Sequence, residues 1–300
     1  MSKTHSPISS PSWRVLKKDG TLNIHRAFDR MPLSDLYHFL LSLSWPIFFA
    51  FVVLGYISIN LFFAILYYLC GPQALEGLHV TSATDRFLDC FFFSVQTIAT
   101  IGYGRISPSG LIPNLLMTVQ ALLGMLTLAV VTGLLFARFA RPTARVIFSN
   151  NAILGPYNGK KSFFFRAANE RLNQIVEAHM TLTLVKNETT KEGERFRKLY
   201  TLKLDRDYSP VFAMTWTVVH IIDEHSPLFK MEEKDLKEGE VEILASLTGM
   251  DDTFSQTIYS HTSYTIDDIF FNTRFKDILS RRSDGKLFVN LKGIHDVCEE

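Results

Sequence analysis

Thr100-Ile101-Gly102-Tyr103-Gly104 is the stretch that decides how this chain folds. Glycine accepts backbone angles that a side chain forbids, so the glycines here let successive carbonyls turn toward one axis. Thr100 can add a hydroxyl oxygen at the inner end of that row. A line of backbone oxygens can replace the water around a dehydrated cation. On its own the pentapeptide reads equally well as a turn in a loop containing Gly and Tyr. The flanks separate the two readings.

No charged residue occurs from Trp45 to Cys70 or from Ile106 to Ala137. A helix over the first stretch is ~39 Å long, enough to cross ~30 Å of hydrocarbon with some tilt. The helical part of the second is expected over 113–140. Both runs are too long and too free of charge for the core helices of a soluble protein. Between them, Phe87 to Ala99 is too short to cross and reads as a re-entrant pore helix over 85–98, with Thr84 or Asp85 as N-cap. Non-helical backbone at membrane depth survives only when packed in protein or lining water, so residues 100–104 imply an oligomer that surrounds them. Four copies of such a loop make a potassium-selective carbonyl ring. The pore helix would turn the negative end of its dipole toward the cation.

Basic residues orient the spans. Lys3, Arg14, Lys17, Lys18, Arg26 and Arg30 precede the first, and Arg138, Arg141 and Arg145 follow the second. Only Arg86 and Arg105 lie between, which places both termini in the cytoplasm. No short apolar run with a small-residue cleavage site opens the chain, so no cleaved leader is expected. Leu33, Leu36, Leu40 and Leu43 recur at helical spacing before the Trp45-Pro46 break, which predicts an interfacial helix over 33–44.

With 31 Lys and Arg against 30 Asp and Glu, the balance points away from a nucleic-acid partner. Cys70, Cys90 and Cys298 fit no metal motif and no disulfide framework. Residues 144–300 alternate like strands. Met180, Leu182 and Leu184 interleave with Thr181, Thr183 and Val185, and Val241, Ile243, Ala245 and Leu247 alternate in the same way. Further short segments near 161–167, 195–204, 211–219 and 254–264 are bounded by turn residues, which predicts a β-sandwich able to bury its own core. No strand–GxGxxG–helix unit is present, so a nucleotide-sensing Rossmann domain is not expected.

Several of these segments resemble the inward-rectifier potassium channels, and most closely their prokaryotic KirBac branch. The resemblance rests on Lys17-Lys18-Asp19-Gly20 with Asn23-Ile24, on Phe93-Ser94-Val95-Gln96-Thr97 leading into residues 100–104, and on Ala137-Arg138-Phe139-Ala140-Arg141-Pro142. It also rests on Val176-Glu177-Ala178-His179 and Ile222-Asp223-Glu224-His225-Ser226-Pro227-Leu228. It implies a homotetramer in which each subunit carries two transmembrane helices, a pore helix and a cytoplasmic immunoglobulin-like β-sandwich. The expected division is a cytoplasmic segment 1–32, a slide helix 33–44, a pore domain 45–140 (outer helix 45–70, inner helix 113–140) and a gating domain 141–300. Potassium would be the permeant ion, held at the filter only, with no cofactor.

Position by position, the resemblance implies roles. Gly124 falls at the family's inner-helix hinge, with close helix packing as the alternative. Gln120, Leu128 and Thr132 would line the pore, and Phe136 would form an apolar constriction that gates by dewetting unless it faces lipid. Gly249-Met250-Asp251 resembles a loop that makes a second constriction. Glu177 and Asp252 would supply acids to the cytoplasmic pore. Leu128 stands where strong rectifiers carry an acid, so block by Mg²⁺ or polyamine is expected to be weak or moderate; Ba²⁺ is a further expected blocker. Arg138, Arg141 and Arg145 are candidates for anionic lipid headgroups. Gln96, where eukaryotic members carry a Glu, together with Arg105 would brace the filter through neutral hydrogen bonds or other partners. The resemblance leans toward a bacterial inner membrane.

Two other readings compete. A non-conducting membrane sensor could keep the pore fold as a scaffold, although it would have no need of an intact T-x-G-Y-G. An enzyme could use the His220–His225 segment, but its spacing matches no HExxH-type site and there is no nucleophile elbow. No helix carries Arg at every third position, which argues against voltage sensing.

Overall fold

The computed structural model describes residues 14–18, 20–21, 23, 36–78, 82–140, 144–281 and 283–299. The chain divides into two compact units, Phe28–Arg141 and Met1–Ala27 together with Pro142–Glu300. Arg141, Pro142, Leu33, Asp19 and Ile24 lie outside the described residues.

The first unit runs α1 (Leu36–Ser42), α2 (Trp45–Leu69), β1 (Leu75–Glu76), α3 (Ala83–Ile98), β2 (Ser107–Pro108) and α4 (Leu111–Phe139). The break between α1 and α2 has a local cause: Ser44 is extended, and Pro46 occupies the first turn of α2, where its missing N–H costs nothing. Both α2 and α4 are long and apolar enough to cross a membrane. The pore helix begins earlier than expected because Ser82, not Thr84 or Asp85, caps it. Its Oγ accepts from the Asp85 N–H at 3.2 Å. A small core of Phe63, Ala64, Tyr67, Leu75, Cys90, Phe93 and Ile106 holds α2 against α3. β1 pairs with β2, and the Ser109 N–H bonds the Ala74 carbonyl at 2.9 Å, so the chain is stitched together on both sides of the pore loop. Gly77 has φ 81° in this neck, and a Cβ there would run into the Arg105 carbonyl.

The second unit is β-rich: β3 (Val146–Phe148), β4 (Ala152–Tyr157), β5 (Lys160–Asn169), β6 (Ile175–Thr189), β7 (Arg195–Leu202), β8 (Tyr208–Phe212), β9 (Thr215–Ile221), α5 (Glu233–Glu238), β10 (Glu242–Asp251), β11 (Gln256–Tyr264), β12 (Ile269–Phe271), β13 (Thr273–Phe275), β14 (Leu279–Arg281), β15 (Leu287–Val289) and β16 (Val297–Glu299). One sheet has the order β11-β10-β6-β7 with β8 also on β6. The other has β12-β4-β5-β3 with β9 also on β5. Their inner faces bury Phe163, Phe165, Leu182, Leu184, Trp216, Ala245 and Tyr264 in one core, the sandwich that the alternation predicted. The N-terminal stretch belongs to this unit. The Val15 and Leu16 N–H groups both donate to the fully buried Glu242 carboxylate at 3.0 Å, and Arg14 pairs with Asp268 at 3.2 Å. His220 is buried, with Nδ1 on the Lys203 carbonyl and Nε2 on Ser226 Oγ, each at 2.7 Å. It therefore anchors the 222–228 segment.

One expectation is corrected here. Gly249 and Met250 do not form a loop; they lie near the end of β10, paired with β11.

Candidate functional site

The pore loop grows directly out of α3. The Ala99, Thr100 and Ile101 N–H groups fold back onto the carbonyls of Val95, Thr97 and Gln96 at 3.0, 3.2 and 2.9 Å. The chain then alternates: Thr100, Gly102 and Gly104 have φ of 55°, 57° and 78°, whereas Ile101 and Tyr103 do not have positive φ. Two of the three left-handed positions are glycine, which accepts them freely; Thr100 is β-branched, and its angle is strained. A backbone that alternates in this way turns successive carbonyls to one side, as a cation-coordinating row requires. Arg105, just after this row, pairs with Asp89 on α3 at 3.2 Å. Of the two residues expected to brace the filter, Gln96 accepts the Ile101 N–H on its main-chain carbonyl, and Arg105 meets Asp89, which the sequence did not single out.

The inner helix shows what surrounds several of the expected positions. Gly124 is buried, and a Cβ there would stand 2.9 Å from the Ile98 carbonyl oxygen and 3.1 Å from Ile98 Cα. Close packing against α3 is therefore in place, and α4 runs unbroken through the position. Gln120 does not line open space, contrary to expectation. It is fully buried and bonded to Tyr67 and Ser94. Leu128, Thr132 and Phe136 are exposed, Leu128 by 70% and Phe136 by 74%. Helix geometry explains the split. Each four-residue step advances about 40° around a helix of 3.6 residues per turn, so a row that starts against α3 at Gln120 ends on the open side by Phe136.

Comparison with known proteins adds to this geometry. Residues 51–141 match the family described as "Ion channel", and residues 146–299 match the inward rectifier potassium channel C-terminal domain. The inward rectifier potassium channel Kirbac3.1 of Paramagnetospirillum magnetotacticum is 40% identical over 288 residues, covering 95% of this chain and 96% of that protein. The human G protein-activated inward rectifier potassium channel 3 is 30% identical over 310 residues, covering 95% and 78%. The mouse G protein-activated inward rectifier potassium channel 4 is 29% identical over 314 residues, covering 96% and 74%. This chain belongs to the inward rectifier potassium channels, in their KirBac branch. It is accordingly a membrane-embedded channel protein and not an enzyme.

Two more features of this inward rectifier concern charge. Glu177 interrupts β6 with φ 52°, a left-handed residue between the paired positions Val176 and Ala178. Gly249 faces that interruption, and a Cβ on it would meet Ile175 Cγ2, the Val176 carbonyl and Ala178 Cα. Glycine is thus needed opposite a bulge, which re-aims the bulged side chain. The Glu177 carboxylate accepts from the Tyr208 hydroxyl at 3.0 Å, and this bond pushes the phenol's pKa up. Asp252 is exposed, and its Oδ1 accepts from the Gln174 N–H at 3.2 Å. Arg138, expected at a lipid headgroup, is engaged elsewhere. Its guanidinium donates to the carbonyls of Leu40 and Leu43 at 2.6 and 2.7 Å and lies over the rings of Trp45 and Phe48. Arg145 is exposed and pairs loosely with Glu170 at 3.5 Å. Among the described residues no three His, Cys, Asp or Glu side chains converge as metal ligands.

Asn60, Ser94 and Tyr67 were not singled out by sequence. The signal was available: uncharged polar side chains inside a span must find partners, because hydrocarbon offers none.

Proposed function

We propose that four copies of this chain form a potassium-selective pore, with the carbonyls of residues 100–104 replacing the ion's water. The observation that carries the reading is the left-handed backbone at Thr100, Gly102 and Gly104, placed at the end of a packed pore helix between two membrane spans. The exposed apolar surface of α2 and α4 supports both a lipid environment and subunit contacts. Leu128, Thr132 and Phe136 line the inner passage, and Phe136 is its apolar gate. Gly249 and Met250 narrow the cytoplasmic passage, and Glu177 and Asp252 give it negative charge. With leucine at 128, block by Mg²⁺ or polyamine is weak to moderate. Both termini are cytoplasmic, in a bacterial inner membrane. Arg141 and Arg145 meet anionic headgroups, while Arg138 acts within the protein. Gly124 fixes the inner helix on the pore helix.

The test is uptake of labelled rubidium into liposomes holding the purified full-length protein, with Ba²⁺ block, Na⁺ competition and a Gly102→Asp control. Uptake that Ba²⁺ stops, Na⁺ leaves alone and Gly102→Asp abolishes is the expected result. Absence of uptake in anionic and neutral lipids, persisting in Phe136→Ala, would favour a non-conducting scaffold.

A further inference from the structure

Four fully buried polar side chains from three helices form one directed chain of hydrogen bonds behind the pore loop. The Tyr67 hydroxyl on α2 donates to Gln120 Oε1 on α4 at 2.7 Å. Gln120 Nε2 donates to both the Oγ and the main-chain oxygen of Ser94 on α3, at 2.6 and 3.0 Å. Ser94 Oγ donates to Asn60 Oδ1 at 2.9 Å, and Asn60 Nδ2 donates to the Tyr56 carbonyl at 2.8 Å, which returns the chain to α2. The direction is the same at every link, so each bond polarises the next. Reversing the Gln120 amide would set its NH₂ against the Tyr67 hydroxyl and its oxygen against the Ser94 carbonyl, so the network fixes that orientation.

The register ties this chain to the filter. Gln120 and Gly124 are successive turns of α4, and they rest on Ser94 and Ile98, successive turns of α3. One level is held by hydrogen bonds and the next by contact between Gly124 and the Ile98 backbone. Ile98 lies two residues before Thr100, whose N–H is bonded to Thr97. Movement of α3 relative to α4 therefore displaces the first filter carbonyls directly. A binding site keeps its geometry when the residues behind it are locked by packing and hydrogen bonds.

We propose that the Tyr67–Gln120–Ser94–Asn60 chain positions the pore helix, and that ion discrimination at residues 100–104 depends on it although none of its members touches the ion. This rests on the conduction reading above. The four are positioning residues, and their effect is on the selectivity of the site rather than on its presence.

The experiment compares wild type with Tyr67→Phe, Ser94→Ala and Gln120→Met as full-length tetramers in liposomes. It reads the ratio of labelled sodium to labelled rubidium uptake. A second readout needs no open pore: the protection that K⁺, relative to Na⁺, gives the tetramer against thermal dissociation. Losing one or two neutral hydrogen bonds should raise the sodium-to-rubidium ratio by about three- to tenfold and shrink the K⁺ preference correspondingly. Tyr67→Phe removes a single oxygen and keeps the test available if the other variants fail to assemble. Variants that melt earlier but retain the wild-type ratio and K⁺ preference would overturn the proposal, because the network would then only hold helices together. If no protein conducts, loss of the K⁺ preference in the variants alone still supports positioning, and its retention overturns it. A wild-type tetramer with neither uptake nor K⁺ preference overturns this proposal and the conduction reading together.

Discussion

At the residue scale, the informative positions are those where a side chain is excluded or trapped. Gly102 and Gly104 are glycine because their φ lies in the left-handed region, and Gly124 is glycine because a backbone stands where its Cβ would go. The first requirement was legible in the pentapeptide; the second was not, since nothing in the sequence says which neighbour a helix face meets. Gly124→Ala must push α3 and α4 apart by a few tenths of an ångström. We expect it to lower the stability of the tetramer by about 1–3 kcal/mol, the usual cost of overpacking. Gly133→Ala, whose added Cβ meets nothing within 4 Å in the protomer, should be tolerated. Thermal dissociation of the purified tetramer measures both. Unchanged stability in Gly124→Ala with altered opening would return the position to the hinge reading. Gln120 shows why a face can be misassigned: membership of the same i+4 row as Leu128 and Phe136 does not imply the same direction, because the row drifts around the helix.

At the element scale, charged groups latch segments whose own apolar contacts are few. α1 buries no residue, yet the Arg138 guanidinium holds the carbonyls of Leu40 and Leu43 at its C-terminal end and stacks on Trp45 and Phe48. Two hydrogen bonds from a charged donor are worth roughly 1.5–3 kcal/mol each, so Arg138→Gln should raise amide exchange across Leu36–Ser42 by at least about tenfold. Hydrogen exchange followed by mass spectrometry reads this; unchanged exchange would remove the latch. Sequence placed Arg138 beside the membrane but could not see that a preceding helix offers it carbonyls. The β-domain has a latch of another kind. Burial holds the His220 imidazole below its ordinary pKa of 6.5, although the Lys203 carbonyl and Asp223 oppose the shift. Its Nδ1 donates to Lys203, leaving Nε2 to accept from Ser226 in the neutral form. The unfolded chain takes up the proton more readily than the folded one. The stabilisation is therefore complete above about pH 6.5 and is lost as the pH falls through the depressed folded value. His295, shifted the same way by burial, adds to this slope. The thermal midpoint should fall on acidification below pH 6.5, and His220→Gln should flatten that fall; an unchanged slope would assign it to other groups. The strands themselves were legible because alternation in β6 and β10 matches the pleat. The Glu177 bulge was not, since a non-glycine residue with positive φ leaves no compositional mark, and with it went the placement of Gly249 in a strand rather than a loop.

At the scale of the whole molecule, one chain leaves much apolar surface uncovered: Phe62, Leu69, Leu111, Leu128 and Phe136 all stand open in the protomer. In the proposed four-fold ring, lipid and sister subunits cover most of it, and one face of α4 is left to line the passage. Leu128 provides the sharpest check on that assignment. If its exposed side faces the axis, four copies surround a narrow passage of low dielectric, where charge is felt strongly. Leu128→Asp would then place four carboxylates around the permeant ion's path. Cations would be attracted, and multivalent cations most. Block by polyamine or Mg²⁺ applied from the cytoplasmic side should tighten by about tenfold or more, equivalent to ~1.4 kcal/mol or more of added attraction. Leu128→Asn, similar in size but uncharged, should leave block near the wild-type level, which separates charge from shape. The measurement is rubidium uptake, or current across a planar bilayer, as blocker concentration is raised. Equal block in Leu128→Asp, Leu128→Asn and wild type would mean that residue 128 does not look into the pore. Thr132 and Phe136 stand about 40° and 80° farther round the helix, so the gate at Phe136 is tested separately, by Phe136→Ala.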